Sequence, residues 1–425
     1  MSPTFSSLAE WLDYQQRVHA RGIDLGLERV REVWRRSGAP RIADTVITVG
    51  GTNGKGSTVA FLEAMLRAGG IRVSAYTSPH ILRYNERVRV DGVDADDDAL
   101  IAAFERIETA RGRNDADAIP LTYFEFGTLA ALNIFARANL DVALLEVGLG
   151  GRLDAVNLID ADAAIVTTVD LDHMEWLGND RESIGREKAG IFRTGKPAII
   201  GEIDPPHSLI ESASRVGACV LRRGRDYTIQ VENDGWIWRI GSTQLDLPMP
   251  VLSAPAQIAN AAAAITALHS LRDPLGWNPE AIARGVRDAR VAGRLQRIAD
   301  SPQVIVDVAH NPQAARELAR WLDANPVAGK NVAVFGALSD KDVAGIVGAL
   351  HPRIAHWHLA GLEGESPRGL PIDELARRVR EAIPNANISE HRDVANALHA
   401  ARAAADEDDR ILAFGSFFVV ASAMR

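Results

Sequence analysis

The segment from Thr45 to Ala68 constrains this chain more than any other. Thr45–Val49 reads as a β-strand. Gly51-Thr52-Asn53-Gly54-Lys55-Gly56-Ser57 is a glycine-rich turn, and about Lys55 to Ala68 reads as a helix. A strand running through such a turn into a helix is an anion site by construction. Free backbone N–H groups and the positive end of the helix face one point. Lys55 adds a full charge for β/γ phosphates, and Ser57 or Thr58 can offer a hydroxyl to Mg²⁺. The general P-loop pattern would place glycine at position 49 and serine directly after the lysine. Here Val49 and Gly56 occupy those positions. A merely flexible turn is the plain alternative. The loop alone does not separate a kinase, a GTPase and a ligase.

The segments around it extend the same architecture. Arg72–Tyr76 reads as a strand and Tyr123–Ala138 as a helix. Val142–Val147 and Ala163–Val169 are near-continuous apolar runs, as a sheet covered on both faces requires. Interleaved strands and helices imply βαβ units and a parallel α/β sheet. Tyr227–Met249 differs: short alternating segments broken by Asn233-Asp234-Gly235 suggest a β-hairpin insertion. Ala254–Leu271 reads as an alanine-rich helix. From about Gln303 the rhythm restarts, with strands at Val304–Val308, Val332–Phe335 and Ile411–Phe414. Helices are expected at Pro312–Leu322, Lys341–Leu350 and Ile372–Glu381. A length of 425 residues exceeds one compact core. The boundary falls near residues 288–296, which gives domains 1–292 and 293–425, joined by a short hinge.

Composition excludes several classes. The net charge is −9 and no Lys/Arg block makes a nucleic-acid stripe. Met1–Arg21 has scattered charges and no apolar run, so neither a signal peptide nor a membrane span is expected. The single Cys219 forms no internal bridge and sits in what reads as a short buried strand, where a structural role is expected. A soluble cytoplasmic protein is expected.

Three residues beyond the loop carry chemistry. Glu146, in Leu144-Leu145-Glu146-Val147-Gly148-Leu149-Gly150-Gly151-Arg152-Leu153-Asp154, is a charge at the end of a buried strand. Such a carboxylate is costly unless ion-paired or metal-bound, and Mg²⁺ favours carboxylate and phosphate oxygen. His173 ends Thr167-Thr168-Val169-Asp170-Leu171-Asp172-His173, just past the next strand. A lone histidine is usually structural, but two strand-end ligands beside a phosphate loop favour a metal. Lys188, in Gly185-Arg186-Glu187-Lys188, reads by itself as a surface lysine. Ser78, in Thr77-Ser78-Pro79-His80, can reach a metal or simply make a turn.

Together these motifs resemble the folylpolyglutamate synthase/dihydrofolate synthase family, a branch of the Mur-type amide ligases. The resemblance spans nearly the whole chain: Gly51–Ser57, Tyr76–Arg87, Leu121–Phe126, Leu145–Asp154, Leu171–His173, Ser183–Phe192 and Asp307–Pro312. It implies an N-terminal P-loop ATPase domain of Mur-ligase type with a small β insertion, followed by a C-terminal Rossmann-like α/β domain. It implies ATP on Thr52, Asn53, Gly54, Lys55, Gly56 and Ser57, with further contacts from Asn260, Arg294 and Asp307. Without the resemblance, Asn260 reads as a helix-surface residue. One Mg²⁺ would sit near Ser57 and a second on Ser78, Glu146, His173 and a carbamylated Lys188. Lys55, Lys188 and His310 would be catalytic. The family often has proline before the Gly293-Arg294 pair; Ala292 gives up some turn rigidity but keeps the guanidinium. Dihydropteroate-binding segments would fall on Asp24, Leu25, Gly26 and Leu27, on Thr122, Tyr123, Phe124 and Glu125, and on Leu153, Asp154 and Ala155. Tyr123 and Phe124 can stack on a flat pterin ring or simply fill a helix core.

The resemblance implies a two-step amide ligation of dihydropteroate, or of the γ-carboxyl of reduced folates, with L-glutamate. The acceptor carboxylate takes the γ-phosphoryl group of ATP, and the glutamate amine then displaces phosphate. His310 and Arg294 would arrive from the other domain on closure and keep water off the acyl phosphate. A monomer is expected. A Mur ligase acting on nucleotide-linked cell-wall precursors is the nearest rival. Its extra nucleotide domain is not expected in the roughly 45 residues before the loop. A monofunctional folylpolyglutamate synthase, and a P-loop kinase or NTPase switch, are further alternatives.

Overall fold

The computed structural model describes residues 5–112 and 118–425. Its described residues form two compact units, Met1–Val251 with Ile258–Arg290, and Leu252–Gln257 with Val291–Arg425. The sequence places no break at Leu252–Gln257.

The first unit is built on an eight-stranded sheet: β1 (Thr45–Gly50), β2 (Val73–Tyr76), β3 (Val88–Val90), β4 (Val93–Asp94), β5 (Val142–Glu146), β6 (Ala163–Val166), β7 (Pro197–Ile200) and β8 (Cys219–Arg222). The spatial order is β4-β3-β2-β5-β1-β6-β7-β8. From β2 through β8 the pairs are parallel, as the interleaved helices require. β1 and β5 are buried at every residue, which explains their unbroken apolar pattern. Burying Leu144 and Leu145 contributes roughly 1.5–3 kcal/mol each.

Register fixes where the site must lie. Val49 pairs with Glu146, Gly50 with Val166, and Tyr76 with Leu145. The turns after β1, β2, β5 and β6 therefore leave the sheet at one edge, at the carboxyl ends of the strands. In open α/β sheets, ligands bind there.

The insertion is a three-stranded antiparallel sheet and not a single hairpin: β9 (Tyr227–Val231), β10 (Gly235–Ile240) and β11 (Thr243–Pro248). Trp236 and Trp238 are buried in it, and Trp238 Nε1 donates to Thr266 Oγ1 at 3.1 Å. Thr266 lies on the helix Ala256–Ser270, so the insertion is packed onto its own unit. Cys219 is exposed, against expectation. It stands on a strand, as read, but on the edge strand β8, where the last ladder leaves side chains uncovered.

The second unit holds a six-stranded sheet: β12 (Gln296–Asp300), β13 (Gln303–Asp307), β14 (Asn331–Phe335), β15 (His356–Ala360), β16 (Ile388–His391) and β17 (Arg410–Phe414), in the order β12-β13-β17-β14-β15-β16. β17 lies between β13 and β14, so the strand order reverses beside it. Helices Pro312–Ala324, Val343–Leu350 and Ile372–Ala382 match expectation to within a few residues, while the helix Val394–Ala404 was not foreseen.

Candidate active site

The phosphate loop is shaped by two glycines. Gly51 has φ +144°, and a Cβ there would lie 1.9 Å from Thr167 Oγ1. Gly54 has φ +86°, caps the helix Lys55–Ala68, and leaves room for the Asn260 side chain, which a Cβ would meet at 2.5 Å. Neither position accepts another residue without strain.

The loop is stitched to the strand that follows β6. Thr52 N donates to Thr168 O at 2.8 Å and Thr52 Oγ1 to Asp170 O at 3.1 Å. Asn53 N donates to Thr168 Oγ1 at 3.0 Å, and Thr167 Oγ1 donates to Asn53 O at 2.6 Å. Lys55 Nζ folds back to Gly51 O and Thr52 O, at 3.1 and 3.2 Å. Ser57 is buried in the first turn of the helix.

Glu146 is buried and accepts from Ser78 N at 3.1 Å. Its Oε2 would lie 3.6 Å from a Cβ on Gly56. Loop, Ser78 and strand-end carboxylate thus converge. His173 follows two residues after Leu171 and has φ 51°, a left-handed backbone uncommon outside glycine and asparagine. Its N–H is held by Asp172 Oδ1 at 2.9 Å.

Lys188 is only 4% exposed, so it is no surface lysine. Burial, and next the charge of Lys55, push its amine down to about 7, while Asp172 and Asp154 oppose the fall. A buried cation close to a second cation is costly, so the neutral amine is accessible near neutral pH. Asp154 shows the converse. Burial raises its carboxyl to about 6, against N–H donors from Leu149 and Val156 at 2.8 and 3.0 Å and the charge of Lys55. Lys55, Asp154, Asp172 and Lys188 are therefore electrostatic neighbours.

Asn260 is buried against the loop and not on a helix surface. In the second unit, Asp307 ends β13 and accepts from Leu295 N and Ala309 N, each at 2.8 Å. Burial raises its pKa, opposed first by Arg294. Arg294 and His310 flank the Phe417 ring, at 5.9 and 6.1 Å. This cluster sits at the carboxyl ends of β13 and β17, beside the reversal in strand order.

The three segments expected to take dihydropteroate are linked in series. Arg29 donates to Asp24 Oδ2 at 2.7 Å, to Asp24 O at 2.6 Å and to Glu125 Oε1 at 2.9 Å. That clamp joins Asp24–Leu27 to Thr122–Glu125. Leu27 is buried, while Leu25 and Gly26 stay partly exposed. Thr122 and Glu125 form a capping box on the helix Tyr123–Phe135. Phe124 packs over Gly148, where a Cβ would lie 2.6 Å from its ring. Leu153, Asp154 and Ala155 close the same turn. Phe124 and Tyr123 are both partly exposed, so neither is a plain core residue.

Two family models match the chain: the Mur ligase middle domain over residues 49–268 and the Mur ligase glutamate ligase domain over residues 293–417. The chain is also 46% identical to an Escherichia coli dihydrofolate synthase/folylpolyglutamate synthase, over 99% of its own length and 95% of that protein's.

The chain belongs to the dihydrofolate synthase/folylpolyglutamate synthase family.

A Haemophilus influenzae member is 39% identical, covering 98% and 96% of the two chains. Among solved structures, E. coli FolC in complex with DHPP and ADP superposes with a TM-score of 0.92 at 45% identity, over 100% of this chain and 98% of that one. A bifunctional synthase with Mn, AMPPNP and L-glutamate bound gives 0.89 at 45%, over 100% and 99%. The fold is accordingly of Mur-ligase type, and the chain is an ATP-dependent amide ligase. No described helix is long and apolar enough to cross a membrane.

The donor set around the loop bears on a divalent metal. No three or more His, Cys, Asp or Glu side chains gather around one point among the described residues. The residues singled out offer one carboxylate, one imidazole, hydroxyls and a neutral-poised lysine. That set fits a hard cation which takes its remaining ligands from phosphate and water. Reading the sequence missed Arg29, Asp172 and Phe417. Arg29 lies outside every family motif, and Asp172 carries no motif signal apart from its neighbour His173.

Proposed function

We propose that this chain condenses L-glutamate with dihydropteroate to give dihydrofolate, and with the γ-carboxyl of reduced folates to give polyglutamates, releasing ADP and phosphate. The observation that carries the reading is the continuous path from the pterin segments to the phosphate loop. Arg29 joins Asp24 to Glu125, Phe124 covers Gly148, and Asp154 neighbours Lys55.

A carboxylate oxygen of the acceptor attacks the γ-phosphorus of ATP, and ADP leaves. The glutamate nitrogen then attacks the acyl carbon, phosphate leaves and the amine loses a proton. Lys55 and the loop amides of Thr52–Ser57 neutralise the transferring phosphoryl group. Asn260, Arg294 and Asp307 hold the nucleotide, and His310 serves the second step. Tyr123 and Phe124 take the pterin face, with Asp24–Leu27 and Leu153–Ala155 around its edge.

Two Mg²⁺ ions are proposed, one at Ser57 and one at Ser78, Glu146, His173 and Lys188. Bound there, they would polarise phosphate oxygens. The neutral Lys188 amine attacks the carbon of CO₂ and releases a proton, leaving a carbamate whose oxygens suit that cation. Nitrogen pushed down to about 7 is what makes this attack feasible near neutral pH. We take residues 1–292 and 293–425 as the functional halves of a cytoplasmic monomer.

The test is a product assay. With ATP and L-glutamate, both dihydropteroate and tetrahydrofolate should gain one glutamyl residue by mass. Turnover of tetrahydrofolate alone would reduce the reading to a monofunctional synthase.

A further inference from the structure

Three described arginines are buried: Arg87, Arg111 and Arg410. Arg111 is fully supplied. It bonds both oxygens of Glu108 at 2.7 and 2.8 Å, Tyr14 Oη at 2.6 Å and Ile119 O at 3.1 Å. Arg410 lacks a carboxylate but donates to Gln303 Oε1, Asn325 O and Asn331 Oδ1, at 2.5, 2.8 and 3.4 Å. Arg87 differs from both. Among the described residues its one hydrogen bond runs from Nε to His80 Nδ1, at 2.9 Å.

A guanidinium carries five N–H donors, and four of these are left over on Arg87. Its plane faces the rings of Tyr84 and Tyr123 at 5.2 and 5.5 Å, contacts that do not satisfy N–H groups. The adjacent Glu86 is committed elsewhere, accepting from the backbone N–H groups of Ile81, Leu82 and Arg83 at 2.8, 2.8 and 2.7 Å. The Nη groups are not sealed from solvent, so an anion can reach them and pair with the guanidinium.

The surroundings say what kind of anion. His80 accepts from Arg87 through Nδ1, which leaves the ring proton on Nε2. It offers a further donor and no competing charge. Arg87 O accepts from Thr77 N at 2.9 Å, one residue from Ser78, whose own N–H holds Glu146. Tyr123 belongs to the proposed pterin wall. Arg87 therefore lies between that wall and the strand-end carboxylate.

We infer that Arg87, together with the Nε2–H of His80, is a receptor for a substrate carboxylate. Planar bidentate pairing with a guanidinium matches that group. The carboxylate is either that of the acceptor before its phosphorylation or the α-carboxylate of the incoming glutamate. This rests on the ligase reading above.

The test compares wild type, Arg87→Met and Arg87→Lys in the full chain. Glutamate is titrated against its α-amide, isoglutamine, in steady-state turnover. Dihydropteroate is titrated against its carboxamide by tryptophan fluorescence. In Arg87→Met, one carboxylate ligand should weaken by about 10- to 100-fold while its amide changes by about two-fold or less, and Arg87→Lys should recover part of the loss. Loss in the glutamate arm identifies the amine donor; loss in the dihydropteroate arm identifies the acceptor. Equal weakening of acid and amide, or no weakening of either acid, overturns the inference. If Arg87→Met does not fold, the acid-to-amide ratio in Arg87→Lys decides by the same criterion. A wild-type protein that binds dihydropteroate through Arg87 but never couples phosphate release to glutamate would overturn the ligase reading and leave the receptor standing.

Discussion

The two units build their sites with opposite electrostatics. In the first, cations crowd together: burial, and next the charge of Lys55, push the Lys188 amine down to about 7. In the second, a carboxylate is the organiser. Asp307 spends both oxygens on backbone N–H groups of Leu295 and Ala309, with Arg294 as its nearest counter-charge. In the first arrangement Asp172 and Asp154 oppose the fall at Lys188 only in part; in the second, the backbone donors of Leu295 and Ala309 hold the carboxylate in place. The first cluster keeps its charges poised, whereas the Asp307 carboxylate fixes the backbone on either side, next to Arg294 and His310. Substitutions at Lys55 and Lys188 should therefore hit rate first, and substitution at Asp307 should hit stability first.

The largest effect is expected at Lys55. Lys55→Met should lower kcat by about 10²–10³-fold while melting stays near wild type, as loss of one transition-state charge contact would. On the proposed reading Lys188→Ala should cost about 100-fold or more, since it would remove a metal ligand and not merely a supporting partner. Wild-type activity should also fall as pH drops through about 7, because the protonated amine cannot take up CO₂. The stability sign runs the other way from a paired lysine. Its folded pKa lies below the unfolded value, so between about 7 and 10.5 the unfolded chain binds the extra proton and stability rises with pH. In CO₂-free buffer Lys188→Met should melt higher than wild type at pH 6, with the gap closing toward pH 10. Calorimetry across pH would detect a wild type that melts higher throughout, and that result would remove the buried cation from the account.

Asp307→Asn should act mainly on stability, losing about 1–3 kcal/mol as one backbone donor faces an amide nitrogen. A kcat loss with unchanged melting would break the contrast between the units. The smallest effect is expected at the exposed Cys219, where Cys219→Ser should change stability by about 0.5 kcal/mol or less.

The loop was legible because its physics is local. Strand, glycines, lysine and helix lie within one short run, and the φ values at Gly51 and Gly54 require that residue type. Glu146 was legible because a charge ending a buried strand needs a reason. Burial of Lys188 and Asn260 was not, since both sit on helices whose covered face depends on distant packing. Cys219 misled because Ala218-Cys219-Val220 looks apolar, while exposure follows from β8 being an edge. The strand His356–Ala360 escaped because His356 and His358 interrupt its apolar run, although His358 is buried. Arg29 escaped because its partners lie 5 and 96 residues away.

Phosphate release from ATP, with dihydropteroate and glutamate each omitted in turn, tests the central claim most directly. The account expects fast release only when both are present. Comparable release with neither would contradict it and leave a plain nucleotide hydrolase.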